Sequence, residues 1–141
     1  MKKPRCLFLV AVGLLLMLSG CSRDVRPDPS KPAMRFVSQI DVTYRNEKWA
    51  FRWIYTDQNK MEAVLLYLRT LTPLGQVAID PQRVEREHYE IVLHYSDGGT
   101  MVYYQHADRY LSKGYKPFEQ VDPKQARKLP LLLEQMPSDV L

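Results

Sequence analysis

Cysteine and glycine are scarce in this chain of 141 residues. It has two cysteines, Cys6 and Cys21, so residues 22–141 cannot form an internal disulfide and must hold their fold by burying a core. The six glycines do not form the Gly-rich loop that binds phosphate groups. One long apolar run exists, residues 7–18, and as a helix it spans roughly 18 Å, short of a hydrocarbon core of about 30 Å. A permanent transmembrane helix is therefore not expected.

A net charge of one sign is also missing once the first 20 residues are set aside. The whole chain has 20 Lys and Arg residues against 16 Asp and Glu residues, which suggests a basic protein. Lys2, Lys3 and Arg5 account for three of the basic residues and no acid accompanies them, so 17 basic residues remain against 16 acidic ones. This balance argues against nucleic acid as a partner, because a phosphate backbone is bound through a basic surface.

The N-terminus has the order of features of a secretion signal. Basic residues precede the apolar run 7–18, and the small residues Ser19 and Gly20 follow it, directly before Cys21. The ending Leu-Ser-Gly-Cys resembles the lipobox of bacterial lipoproteins. The resemblance implies that the thiol of Cys21 becomes a diacylglyceryl thioether and that cleavage before it removes the signal peptide, residues 1–20. It also implies a bacterial cell-membrane location on the exported side, with the outer membrane possible in a host that has one.

Residues 21–34 are predicted to form a tether between the lipidated cysteine and the folded domain. Pro27, Pro29 and Pro32 each fix φ and remove a backbone donor, which favours a semi-extended chain. Twelve residues at about 3.1 Å each reach roughly 37 Å. The globular domain, residues 35–141, is therefore expected to clear the lipid head groups.

Two stretches with a period of two predict the first β-hairpin. Apolar residues alternate along 40–44 and again along 49–55, on either side of Asn46-Glu47. If that dipeptide is the loop, three apolar pairs share one face: Tyr44 with Trp49, Val42 with Phe51, and Ile40 with Trp53. The same register places Asp41 opposite Arg52 on the other face, an opposite-charge pair. A longer turn stays open because glutamate adopts positive φ poorly. Both tryptophans are assigned to the core.

A second hairpin is predicted where Ser96-Asp97-Gly98-Gly99 interrupts another alternating stretch, residues 87–95. Asp-Gly suits the positive φ angles of a type I′ turn, which makes Asp97-Gly98 the predicted two-residue loop. This loop sets three facing pairs: Leu93 with Val102, Ile91 with Tyr104, and Tyr89 with His106. Residues 77–79, 109–111 and 118–121 are candidates for further short strands.

Two helices are predicted to cover one face of the sheet. Asp57 or Asn59 caps the first helix. Its apolar stripe, at helical spacing, comprises Met61, Val64, Leu65, Leu68 and Leu71. The second helix begins at Asp122-Pro123, and Pro130 is expected to kink or split it because its ring excludes the normal hydrogen bond. The predicted class is α+β: a small single domain with an antiparallel sheet of two β-hairpins and helices covering one face.

The residues that usually carry chemistry do not converge in this reading. His88 and His94 lie about 20 Å apart along a strand at roughly 3.3 Å per residue, and the predicted register places His106 on the opposite face. The chain lacks a Gly-x-Ser-x-Gly nucleophile motif, and the acids between 85 and 90 alternate with arginines as on a solvated face. The sequence therefore predicts no metal, no cofactor and no enzymatic activity. An enzyme or enzyme inhibitor acting through the loops at 107–121 remains an alternative.

One binding surface is suggested by the tyrosine-rich second hairpin. In the predicted register Met101 and Tyr103 point outward beside Val92 and His94. Tyrosine is favoured at interfaces because its large apolar ring carries a polar end, although these residues also suit any strand. The predicted function is a lipid-anchored, non-enzymatic module that binds another envelope protein or a peptide through its open sheet face. A structural or stress-protective surface lipoprotein without a discrete ligand is the other alternative.

Overall fold

A computed structural model describes residues 35–78, 80, 86–114 and 116–140 of the chain. The predicted signal peptide, the predicted lipidation site Cys21 and the predicted tether lie outside the described residues.

Seven antiparallel strands and three helical segments form within the described residues. The strands are β1 (Val37–Arg45), β2 (Ala50–Tyr55), β3 (Pro73–Gln76), β4 (His88–Tyr95), β5 (Thr100–His106), β6 (Tyr110–Lys113) and β7 (Glu119–Val121). The helices are α1 (Gln58–Thr70), α2 (Pro123–Ala126) and α3 (Lys128–Gln135). All strands belong to one sheet with the order β2-β1-β4-β5-β6-β7-β3. The molecule is a small, sheet-rich α+β domain, and its seven strands correct the prediction of a sheet made of two hairpins.

The additional strands extend the sheet beyond β5. β6 and β7 form near the segments 109–111 and 118–121, which confirms those two candidates. β3 lies at Pro73–Gln76 rather than at 77–79, and residue 79 is outside the described part of the chain. β3 begins with a proline and forms one edge of the sheet, where the missing backbone donor is tolerated.

The first hairpin has a four-residue loop, and the predicted register is wrong by two residues. The side-chain Oδ1 of Asn46 accepts hydrogen bonds from the amides of Lys48 and Trp49, at 2.9 and 2.7 Å, which closes the loop. Trp49 therefore lies exposed in the loop instead of in the core. Val42 lies opposite Trp53, which packs against the core as predicted. The predicted faces are kept because a shift of two preserves the alternation.

The second hairpin has a three-residue loop, residues 96–98. The amide of Tyr95 donates to the carbonyl of Gly99 at 2.9 Å, and Gly98 takes the single positive φ in the loop, 83°. Asp97 accepts from the Gly99 amide and pairs with Arg35 at 3.2 Å. A Cβ at Gly99 would lie 2.5 Å from the guanidinium of Arg35, so this glycine permits a close approach.

This extra loop residue shifts the β4–β5 register by one and reverses the faces of β5. The observed pairs include Leu93 with Met101, Ile91 with Tyr103, and Tyr89 with Gln105. Met101, Tyr103 and Gln105 therefore share the face of the buried Ile91. The predicted register is wrong, because a slip of one residue moves every side chain of a strand to the other face.

The core lies between one face of the sheet and the helices. Its buried apolar residues are Ile40, Val42, Tyr55, Met61, Val64, Tyr67, Leu71, Ile91, Leu93, Leu111, Val121, Ala126, Leu129 and Leu133. The predicted helical stripe is confirmed, with Met61 and Val64 buried and Leu65 and Leu68 packed against the core. Asp57 is the cap of α1, since its side chain accepts from the amide of Lys60 at 3.1 Å.

The terminal helix is broken, as predicted, but at Arg127 rather than at Pro130. Asp122 caps α2 by accepting from the amide of Lys124 at 2.9 Å. Pro130 is the third residue of α3, within the first turn, where a backbone donor is not needed. In a continuous helix the carbonyl of Ala126 would accept from the amide of residue 130, but Pro130 has no amide hydrogen, so this carbonyl needs another donor.

Two buried side chains take the place of that amide. The Nε2 of Gln105 donates to the carbonyl of Ala126 at 3.2 Å, and the hydroxyl of Tyr67 lies 3.1 Å from the same oxygen. Tyr67 also hydrogen-bonds the Oε1 of Gln105, while Nε2 donates a second bond to the carbonyl of Ala107 at 3.2 Å. The Gln105 amide thus joins β5, α1, the helix break and the β5–β6 turn.

The C-terminal residues lie along the start of α1 and the end of β2. The carboxylate of Asp139 accepts from the amides of Thr56 and Asp57, both at 2.8 Å, and pairs with Lys60. The bond from Lys60 and those from the two amides lower the pKa of Asp139 to about 2. The backbone amide of Asp139 donates to the carbonyl of Ile54 at 2.8 Å. These contacts fix Asp139 at the edge of the sheet.

Candidate functional site

The sheet face opposite the described helices is the candidate binding surface, and we call it the open face. The core residues Ile40, Ile91 and Leu111 occupy the other face together with the helices. By strand alternation, the open face carries Asp41, Thr43, Arg45, Arg52, His88, Glu90, Val92, His94, Val102, Tyr104 and His106.

The predicted patch does not form on this surface. Val92 and His94 lie on the open face as predicted, but Met101 and Tyr103 lie on the opposite face, packed against the core. The predicted separation of the histidines is also wrong in part. His106 lies opposite His88 on the same face, and their rings stack with centroids 5.1 Å apart.

Asp41 is the most enclosed charged group on the open face, with 6% of its surface exposed. It accepts hydrogen bonds from Gln39 Nε2 and Arg52 Nη2, both at 2.7 Å, and lies 3.2 Å from Nε2 of His94. Arg52 faces Thr43 across the strands and reaches Asp41 diagonally, so the predicted charge pair forms in a different register. Burial raises the pKa of Asp41, but the bonds from Arg52, Gln39 and His94 outweigh burial and lower it. Asp41 is thus a fixed negative charge.

A pocket of about 460 Å³ opens at the end of the open face that holds the β1–β2 loop. It is lined by Arg45, Asn46, Glu47, Arg86, His88, Tyr104 and His106. His106 is only 3% exposed, and the edge of Phe118 packs on its ring at 5.0 Å between centroids. The pocket therefore has an aromatic floor, with His106 buried, and a charged rim.

The rim is rich in guanidinium groups. Arg45 lines this pocket and also a neighbouring hollow of about 310 Å³ that extends toward Asp41 and Arg52. Arg86 pairs with Glu47 at 2.7 Å. Burial and the positive charge of Arg45 lower the pKa of His88, so its ring is neutral at neutral pH. Arginine and tyrosine side chains around a preformed hollow suit recognition of a peptide or protein surface.

The alternative site in the 107–121 loops is also partly described. Ala107 has a left-handed backbone with φ 50°, which is costly for a residue with a side chain. Asp108 pairs with Arg127. Both loop residues border a cavity of about 330 Å³ that Tyr44 and Tyr89 line from the sheet. Of the two carboxylates that line this cavity, Glu87 and Asp108, that of Asp108 is thus held by an arginine.

The sequence did not indicate the pocket that Arg45 and His88 line, because the residues of this pocket come from three separate segments, around 45, 86 and 105. The strand register that brings them together depends on the loop at 96–98. Within the described residues, no group of three or more His, Cys, Asp or Glu side chains is arranged to hold a metal ion.

Comparisons of the chain with protein-family models, with curated proteins and with solved structures find no match. None of the helices in the described part of the chain has the length and apolar character needed to cross a membrane.

Proposed function

We propose that this protein is a lipid-anchored, non-enzymatic binding module of the bacterial cell envelope. In this proposal Cys21 carries the lipid, and the open face holds a segment of another envelope protein or a peptide. The observation that carries the proposal is the pocket at Arg45, His88, Tyr104 and His106, a built polar surface on a sheet face that no described helix covers.

The position of the pocket supports this assignment. Arg35, the first described residue, stacks on Tyr95 at 3.8 Å and pairs with Asp97 beside the β4–β5 loop. The pocket lies at the other end of β1, whose nine residues span about 26 Å at roughly 3.3 Å per step. A partner in the pocket is therefore held far from the point where the chain leaves toward its N-terminus.

The anchor is tested by replacing Cys21 with serine. Cys21→Ser is expected to abolish labelling by an alkyne fatty acid and to leave a precursor that retains residues 1–20, because the modified thiol is what the processing step requires. Mass spectrometry of the labelled protein measures both effects. Cys6→Ser is the matched control and should keep label and cleavage. Labelling that persists in Cys21→Ser would remove the anchor from the proposal.

The open face is tested by reversing one charge at the pocket. Arg45→Glu should reduce the recovery of a cross-linked envelope partner about tenfold, the loss that ~1.4 kcal/mol of binding free energy produces. Quantitative mass spectrometry after cross-linking in intact membranes measures the recovery. Arg69→Glu makes the same charge change on α1 and should leave recovery unchanged. Equal recovery with both variants would count against the pocket as the binding surface.

A further inference from the structure

The two edges of the sheet are protected to different degrees. At one edge, β3 has four residues, begins with Pro73 and contains Gly75 at φ 150°, features that discourage pairing with another chain. At the other edge, β2 has six residues, no proline, and Phe51 with 53% of its surface exposed. An unprotected edge strand of this kind is a template for an added strand.

The backbone groups that face outward along β2 follow from the hairpin register. The amide of Asn46 donates to the carbonyl of Trp49 at 3.0 Å, and bonded pairs alternate along an antiparallel ladder. Residues 51, 53 and 55 therefore bond to β1. Ala50, Arg52 and Ile54 direct their amides and carbonyls away from the sheet.

The chain's own C-terminal segment already occupies one of these three positions. The amide of Ile54 donates to Ser138 Oγ at 3.0 Å, and the carbonyl of Ile54 accepts from the amide of Asp139 at 2.8 Å. Within the described residues, no segment continues this line to Arg52 and Ala50. The edge of β2 thus bonds to an extended chain at Ile54, and the outward backbone groups of Arg52 and Ala50 continue the same edge.

The side chains around those two residues define the partner. Phe51 and Trp53 lie on one face with ring centroids 6.4 Å apart, and they would contact apolar side chains of an added strand. The other face carries Arg52, which pairs with Asp41 through Nη2 and keeps 59% of its side chain exposed, and Lys48 is exposed in the adjoining loop. Glu47, the acid of that loop, is paired with Arg86. The edge therefore favours alternating apolar and acidic residues.

We infer that the edge of β2 at Ala50 and Arg52 binds an extended segment of a partner protein in which apolar and acidic residues alternate, added as a further antiparallel strand. The inference goes beyond the proposed function, because it uses the backbone edge and stands even if the pocket on the open face binds nothing.

The test is a titration of the full-length protein in detergent with the peptide acetyl-Val-Glu-Val-Glu-Val-amide. The amide NMR signals of Ala50 and Arg52 are expected to shift and saturate, because the peptide backbone bonds to them. Ala50→Pro removes the outward donor at the first residue of the strand, where proline is tolerated, and should weaken binding at least tenfold. Ala50→Ser keeps the donor and should bind as the unchanged protein does.

Two peptide controls leave the protein fold untouched. In the first control, N-methylation of the backbone amides of both glutamates removes the donors that would face β2, and it should abolish binding. In the second control, exchange of both glutamates for lysine should weaken binding at least tenfold. Equal binding of either control peptide would overturn the inference. It would also be overturned by shifts centred on His88 and Tyr104, or by concentration-dependent shifts of Ala50 and Arg52 without peptide, which would place a second copy of the chain at this edge.

Discussion

Replacing Gln105 with leucine is expected to lower the free energy of unfolding by about 2–4 kcal/mol, although the two side chains are similar in size. The variant removes both donors that Nε2 directs to the carbonyls of Ala107 and Ala126, and the acceptor of the Tyr67 hydroxyl. Ala126 and Tyr67 are buried, so water does not replace the lost partners. Urea unfolding followed by tryptophan fluorescence measures the change.

The double variant separates a buried network from simple loss of packing. Tyr67→Phe alone should cost about 1–2 kcal/mol, because it leaves the Oε1 of Gln105 without its donor. Gln105→Leu with Tyr67→Phe should not cost the sum of the two single changes, since the two side chains bond to each other and share the buried carbonyl of Ala126 as an acceptor, which keeps one donor in each single variant and none in the double variant. Additive costs would show that the two side chains act independently and would contradict the network.

The features predicted correctly from the sequence are those set by local signals. The stripe of α1 follows from apolar residues at helical spacing, and Asp57 and Asp122 each cap the helix that begins beside them. Strand alternation likewise predicts which residues of β1 face the core. These signals act within a few residues, so they can be recognised in the sequence without knowing which strands pair.

The strand registers could not be predicted from the sequence, because each register depends on the hydrogen bonds that a loop side chain makes. Asn46 closes a four-residue loop through its own Oδ1, and Asp97 binds the Gly99 amide. An Asn-Glu or Asp-Gly pair is compatible with both shorter and longer loops. The error of two residues did not change the predicted faces of the first hairpin. The error of one residue in the second hairpin placed Tyr103 on the outer face and His106 on the core face, the reverse of the observed arrangement.

The candidate site was missed for a related reason. Arg45, His88 and His106 lie next to one another only through the β1–β4 and β4–β5 registers. The contacts of Asp139 with Thr56 and Asp57 could not be predicted from the sequence either, because they join residues more than 80 positions apart. Long-range contacts of this kind carry no periodic signal.

The last helix offers a matched pair of substitutions whose expected effects differ most. Leu129 and Leu131 lie two residues apart in α3, yet Leu129 is completely buried and Leu131 is 58% exposed. Leu129→Ala is expected to cost about 2–5 kcal/mol of unfolding free energy, because it removes core contacts and leaves a cavity. Leu131→Ala makes the same chemical change and should cost less than about 0.5 kcal/mol.

Chemical unfolding of the two variants, measured side by side, checks this difference. A large loss for Leu129→Ala with an unchanged Leu131→Ala would show that the broken terminal helix is held to the sheet by its buried face. α3 leads directly into Ser138 and Asp139, which hold the end of β2. Similar losses in both variants would mean that Leu131 is covered in solution and that the helical face of the domain is an interface.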